Sequence, residues 1–287
     1  PFLLTASRLY ASVVIGTLEI PTMQSKDELG DRMKAYEAVE TARKLDTTLP
    51  IYARIDGRGF SKFTRNMIRP FDLRMTNSMI ETTKYLVDQT HAAIGYVQSD
   101  EISLVWAPQE SQDRGFFAGK VQKMASVLAS MAAARFVIAY RDCFGEITEQ
   151  FPHFDCRVIN LPSEAEAANM LLWREQDARK NAVSMAARDC FSHRELHKKS
   201  TAEMIEMMNA KGVRMENYPA AFTRGTWVKR QTEQRSLSGV ELEKIPVDRR
   251  PNADAVFERT KVVAFNLPPF NTVSDRVQMV FDHAVAS

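Results

Sequence analysis

Cysteine is scarce: Cys143, Cys156 and Cys190 are widely spaced and odd in number. They offer neither a disulfide framework nor a zinc spacing, and fit incidental thiols in a reducing compartment. No apolar run approaches the roughly 18 residues of a membrane span, so no membrane partner is expected. Five histidines show no ligand spacing except His193 and His197, four apart, and no HExxH-type Glu accompanies them. No internal repeat or low-complexity segment stands out. Net charge is only +2, but it is unevenly spread: Lys211–Arg235 holds six Lys/Arg against Glu216 and Glu233. Such a stretch suits either an anionic partner or a solvated face.

What is present supports a normal core. Hydrophobic residues make up 45% of 287, enough for one large domain or two modest ones. Residues 1–22 differ from the rest, being apolar with one Arg and one Glu, and read as a leader or upstream extension. Met23 begins a sensible cytosolic N-terminus, so the location expected is cytoplasmic, or mitochondrial if 1–22 is a targeting peptide.

The chain is organised around Tyr96–Trp106, YVQSDEISLVW. Two apolar half-strands, Ile94–Val97 and Ile102–Trp106, flank a polar apex of Gln98, Ser99, Asp100 and Glu101, which predicts a hairpin with carboxylates at its tip. In IYARIDGRGF, Ile51, Ala53 and Ile55 alternate as a strand that ends at Asp56-Gly57. Gly57 is expected to permit a sharp turn or a close backbone approach to a ligand. Side by side, the two strands would bring Asp56 to Asp100, a cluster that repels itself unless cations sit in it. Two magnesium ions, held by Asp56, Asp100 and the Gly57 carbonyl, would make a phosphoryl-transfer site. Glu101, pointing the other way in an extended chain, would support the ligands rather than join them.

Along the chain, helices are predicted over 27–42, about 71–91, and 115–136 with Lys120 and Lys123 on one face. Strands are predicted at Val137–Tyr140 and Phe154–Asn160. Strand–helix–strand–strand–helix–strand is the ferredoxin-like order, with helices on one sheet face and the other left for substrate. Ser163 with Glu166, and Ser200 with Glu203, mark two further helix starts, the second helix ending near Lys211-Gly212. Phe222–Arg230 reads as an exposed strand or turn, the pattern weakens beyond Gln231, and Ser274–Ala284 suggests a short helix. Lys120 and Lys123 would neutralise a triphosphate, and the Ser99 hydroxyl would donate to it.

RIDGRGF at 54–60 and VQSDEISLVW at 97–106 resemble the tRNA-His guanylyltransferase family, including its 3′-to-5′ polymerase-like members. GKVQKMASVLAS at 119–130, FDCRV at 154–158, LLWREQDARKNAV at 171–183 and TRGTWVKR at 223–230 follow in the same order. The resemblance implies an α/β (α+β) fold, with a ferredoxin-like polymerase-type palm over 23–160 and a mostly helical, fingers-like region over 161–287. It implies two Mg2+ ions, ATP and GTP or other nucleoside triphosphates as substrates, the 5′ end and acceptor stem of tRNA as partner, and a homotetramer. Asp56, Asp100 and Glu101 would be catalytic. The nucleotide set would be Lys34, Arg54, Arg58, Gly59, Phe60, Arg69, Ser99, Lys120, Lys123 and Arg157. Arg179, Asn181, Arg224, Lys229 and Arg230 would contact tRNA.

The chain departs from the guanylyltransferases proper in three places. Their His in the helix motif is Arg179, a His after the first Asp motif is Ser61, and FDGR has become FDCR through Cys156. The first two changes point to template-dependent repair of truncated tRNA 5′ ends, ahead of dedicated addition of G to tRNA-His. A nucleotide cyclase on a similar palm and a non-catalytic RNA-binding module compete with both.

Overall fold

The computed structural model describes residues 27–252 and 255–282. Two units divide the chain, 1–42 and 43–287. In the first, α1 (Glu28–Thr41) is capped by the Asp27 side chain on Gly30 N–H and carries Lys34 3.7 Å from Asp31. The leader expected at 1–22 lies outside the described residues.

In the second unit, β1 (Ile51–Arg58) is flanked by β3 (Glu101–Trp106) and β4 (His153–Asn160). With β2 (Ile94–Gln98), β5 (Thr226–Ser236) and β6 (Val256–Phe265) they form an antiparallel sheet ordered β4-β1-β3-β2-β5-β6. Helices α3 (Leu73–Thr90) and α4 (Val121–Phe144) connect β1 to β2 and β3 to β4, giving the ferredoxin-like order over the first four strands. Between β1 and α3 lies a short α2 (Phe60–Phe63). Strand alternation sends Ile51, Ala53, Ile55, Ile102 and Leu104 into a core with Met79 and Leu86 of α3 and Met124, Leu128 and Phe136 of α4.

Several expectations change. The helix predicted at 115–136 begins at Val121, because Phe117, Ala118 and Gly119 all have positive φ, and it continues to Phe144. Val137–Tyr140 is therefore helix, not strand: Phe136, Ala139 and Tyr140 continue the buried stripe of Met124, Leu128 and Ala132. By length and composition α4 would suffice to cross a membrane, contrary to the sequence reading, yet that stripe packs on the sheet.

The second sheet face is not left open. It is covered by α5 (Glu164–Cys190), whose Ala167, Ala168, Leu171 and Ala178 pack with Tyr52, Tyr96, Val105 and Trp227. The far half of α5 forms a third cluster with α6 (His193–Leu196), α7 (Thr201–Ala210) and α8 (Ala220–Thr223). α7 has the predicted capping box of Ser200 and Glu203, and Gly212 beyond it takes φ +78°. Residues 161–287 are less helical than expected. Thr226, Trp227, Val228 and Lys229 are buried in β5, which joins the same sheet through β2 and pairs with β6. A short α9 (Gly239–Glu243) lies between those two strands, and α10 (Arg276–Phe281) closes the described chain; the predicted helix end beyond 282 lies outside it.

Candidate active site

Alternate residues of β1 point away from the α3/α4 core, so Arg54 and Asp56 share the α5 side of the sheet with Tyr52. Asp56 stands opposite Glu101 on β3 and Asp155 on β4; Arg54 stands opposite Ser103 and Arg157. The hairpin tip is only Ser99-Asp100, closed by a left-handed Ser99 at φ +52°. Gly57 N–H donates to the Asp100 carbonyl at 3.0 Å and ties the tip to β1. Asp56 and Asp100 consequently line one cavity of about 580 Å³, facing α5.

Burial pushes the Asp100 carboxyl up to about 6; the Ser99 hydroxyl at 3.0 Å opposes the rise, and the charges of Asp56 and Glu101 add to it. Glu101 is held differently. Arg174 of α5 donates two hydrogen bonds to it, 2.6 and 2.7 Å, and a third to Asp177 at 3.0 Å. Burial still holds the Glu101 carboxyl above its ordinary range. Of the two hairpin carboxylates, Glu101 is the one paired with an arginine, and it lines the same cavity as Asp100 instead of pointing away from it as expected.

Among the described residues no group of three His, Cys, Asp or Glu side chains could hold a metal. Asp56 and Asp100, each half-buried on one cavity, nonetheless fit a hard divalent ion that completes its shell with water and phosphate oxygens. Gly57 does not turn the chain, since it lies within β1; a Cβ there would meet the Phe60 ring at 2.4 Å. That approach is one physical reason for a glycine at 57.

A second cavity, about 380 Å³, shares Gln98, Ser99, Asp100, Met185 and Arg188 with the first. Ser61, Thr64, Arg69, Phe71 and Phe222 add its further walls. Asp100 therefore sits where two compartments meet.

The predicted nucleotide set divides accordingly. Arg54 lines the first cavity and Arg69 the second, while Ser99 lines both. Arg157 is exposed beside Arg54, 3.7 Å from Asp155. Arg58 is exposed at the end of β1, and Gly59 takes φ +71° before α2. Phe60 is chiefly a core residue, its ring 5.1 Å from Phe63 and Phe154 and 5.6 Å from Phe136, although it borders the second cavity. Lys120 and Lys123 are not brought to the carboxylates. Phe116, just before them, stacks on Trp106, which pairs with Ile51, about 17 Å along β1 from Asp56. Lys120 bridges to Lys44, and the Lys123 ammonium lies 4.8 Å from the Phe117 ring centroid.

The family pattern for tRNAHis guanylyltransferase matches residues 30–162. A bacterial tRNA(His) guanylyltransferase (Thg1)-like protein, solved in complex with ATP, is 35% identical with a TM-score of 0.65, over 70% of this chain and 87% of that one. The chain belongs to the tRNA(His) guanylyltransferase family. It is accordingly a nucleotidyltransferase. A bacterial Thg1-like protein in complex with GTP is 28% identical, TM-score 0.65, over 85% and 94%. The tRNA(His) guanylyltransferase of Schizosaccharomyces pombe is 31% identical over 152 residues, 51% of this chain and 57% of that protein.

The positions at which tRNA(His) guanylyltransferases were expected to touch tRNA fare unequally. Arg179 is exposed on α5, and Asn181 lines the first cavity. Arg224 is half-buried, with a guanidinium nitrogen 3.4 Å from the Leu267 carbonyl. Lys229 is a correction: it is 2% exposed, its ammonium donates to the Met279 carbonyl at 2.7 Å, and burial lowers it to about 8. Arg230 is tied to Asp88, 3.3 Å from its carboxylate. Neither forms part of an exposed phosphate track.

Sequence reasoning picked only Asn181 from one stripe of α5. Trp173, Asp177, Asn181, Ser184 and Arg188 all line the first cavity. Their spacing of three or four residues was visible and puts them on one helix face.

Proposed function

We propose that this chain is a Mg2+-dependent enzyme that activates a tRNA 5′ end with ATP and then adds a nucleotide to it, with G on tRNA(His) as the first reading. The observation that carries this is the placement of Asp56 and Asp100 on one cavity, with Asp100 shared by a second. Such a junction suits a two-substrate transfer. The names of the relatives favour G addition over template-dependent repair.

In the first step a 5′-monophosphate oxygen attacks the α-phosphorus of ATP, and pyrophosphate leaves. In the second, the 3′-hydroxyl of the incoming nucleotide attacks the 5′-phosphate, and AMP leaves. Asp56 and Asp100, with the Gly57 carbonyl, would hold Mg2+, which when bound supplies activation of the attacking oxygen and neutralisation of the leaving group. Arg54, Arg157 and Arg69 offset phosphate charge from two sides, and Ser99 offers a hydroxyl to a phosphate oxygen. Arg174 fixes Glu101 beside Asp56 and takes no part in the transfer.

A second reading, template-dependent repair of truncated tRNAs, rests on Arg179 and Ser61 standing where the guanylyltransferases proper have His. Ser61 lines the second cavity and Arg179 is exposed on α5. Charged groups grip phosphate without reading sequence, which leaves the choice of nucleotide to base pairing. Labelled intact tRNA(His) and several 5′-truncated tRNAs, each given ATP and single nucleoside triphosphates, decide between them. Higher kcat/KM on intact tRNA(His), with G alone added, supports the first reading. Preference for truncated tRNAs, with addition matching the opposing base, supports the second. No adenylylated 5′ end with any RNA overturns both.

A further inference from the structure

Resting on that reading, we propose that Trp173 is the platform on which the terminal base of the RNA 5′ end stacks. Of the three tryptophans, Trp106 and Trp227 are buried at 6% and 1% exposure, and Trp173 is 50% exposed. A half-exposed indole offers a flat apolar face on which a planar group can stack. Trp173 lines the cavity that holds Asp56 and Asp100.

Its ring is already oriented. The Arg174 guanidinium lies 4.5 Å from the indole centroid, and that guanidinium is pinned by Glu101 and Asp177. Among the described residues Trp173 pairs with no other aromatic ring, so a planar group stacking on it displaces nothing. A base there would be sandwiched in series with a fixed cation, an arrangement that binds any base through its π-face.

The cavity divide assigns the ligand. The second cavity has aromatic walls of its own in Phe71 and Phe222, suited to the nucleoside triphosphate, with Ser61 and Thr64 as polar partners. The first offers one ring, Trp173, beside Arg54 and the carboxylates. An RNA end entering there would carry its 5′-phosphate to Asp56 and rest its base on Trp173. Trp173 thus acts as a positioning residue: it sets where the RNA end lies and touches no reacting atom.

The test uses the full chain and a 5′-monophosphorylated acceptor-stem hairpin, with the terminal base present or replaced by an abasic site. In the wild type, acrylamide should quench chiefly Trp173, and the hairpin should shield it. By fluorescence anisotropy the abasic change should weaken wild-type binding about tenfold, the usual scale of one base–aromatic stack. Trp173→Leu should bind both hairpins equally weakly, Trp173→Phe should restore most of the difference, and KM for ATP should stay unchanged in both. Melting curves matching the wild type exclude a folding defect. If Trp173→Leu distinguishes the two hairpins as well as the wild type does, the inference is overturned while the proposed function stands. If the hairpin fails to bind the wild type at all, both fall.

Discussion

Asp56 and Glu101 stand directly opposite each other in the β1–β3 ladder, and of the two, Arg174 neutralises Glu101. Like charges at that position repel. The arrangement assigns the tasks: Glu101 is held fixed by a cation from α5, and Asp56 is left to face the cavity.

Arg174→Met should therefore cost stability. It strands a buried carboxylate opposite a second one, a change worth about 3–5 kcal/mol for buried pairs. Losing the cation raises the Glu101 folded pKa further above its unfolded value. The loss should then be small at acid pH, where Glu101 is protonated in both proteins, and grow as pH rises above the wild-type folded value. Urea denaturation at pH 5 and pH 8 measures it; an equal, small effect at both would show that the pair does not restrain Glu101.

Asp100→Asn should stabilise the metal-free protein and abolish transfer. With the folded pKa raised to about 6, stability is present below the unfolded carboxylate value and lost as pH rises through about 6. The variant should melt higher than wild type at pH 8 by about 2–4 °C for each kcal/mol relieved, and equally at pH 4. Adenylylation should fall to background. Wild-type activity in this variant would remove Asp100 from the site.

Lys229→Met tests whether Lys229 touches RNA. Burial lowers its folded pKa to about 8, below its unfolded value, so wild-type stability should rise with pH between about 8 and 10. The methionine variant should lack that rise, and the slope of log affinity for tRNA against log salt should be unchanged. A slope smaller by about one would instead make Lys229 a phosphate contact.

Gly57→Ala should destabilise the fold by about 1–3 kcal/mol, the usual cost of overpacking. Its new methyl meets the Phe60 ring, which Phe63, Phe136 and Phe154 hem in. Phe60→Leu in the same chain should recover part of the loss; thermal melts of the single and double variants give the answer.

By itself the sequence determined the two-carboxylate hairpin, the neighbouring strand, the helix starts at Ser163 and Ser200, and the family. Each of these is written locally, in a period-2 alternation, a polar apex, a capping pair or a contiguous motif. Val137–Tyr140 misled because its β-branched pair favours a strand, whereas its phase continues a helical stripe that only the sheet beneath it rewards. Lys229 reads as a basic surface residue until the chain returns fifty residues later with the Met279 carbonyl. Arg174 meets Glu101 across 73 positions, and Lys120 with Lys123 falls at the far end of the sheet from the residues they were expected to serve. Charge and motif say what a side chain can do. Which partner reaches it, and whether water does, is decided when distant segments pack, because desolvation and ion pairing depend on neighbours in space.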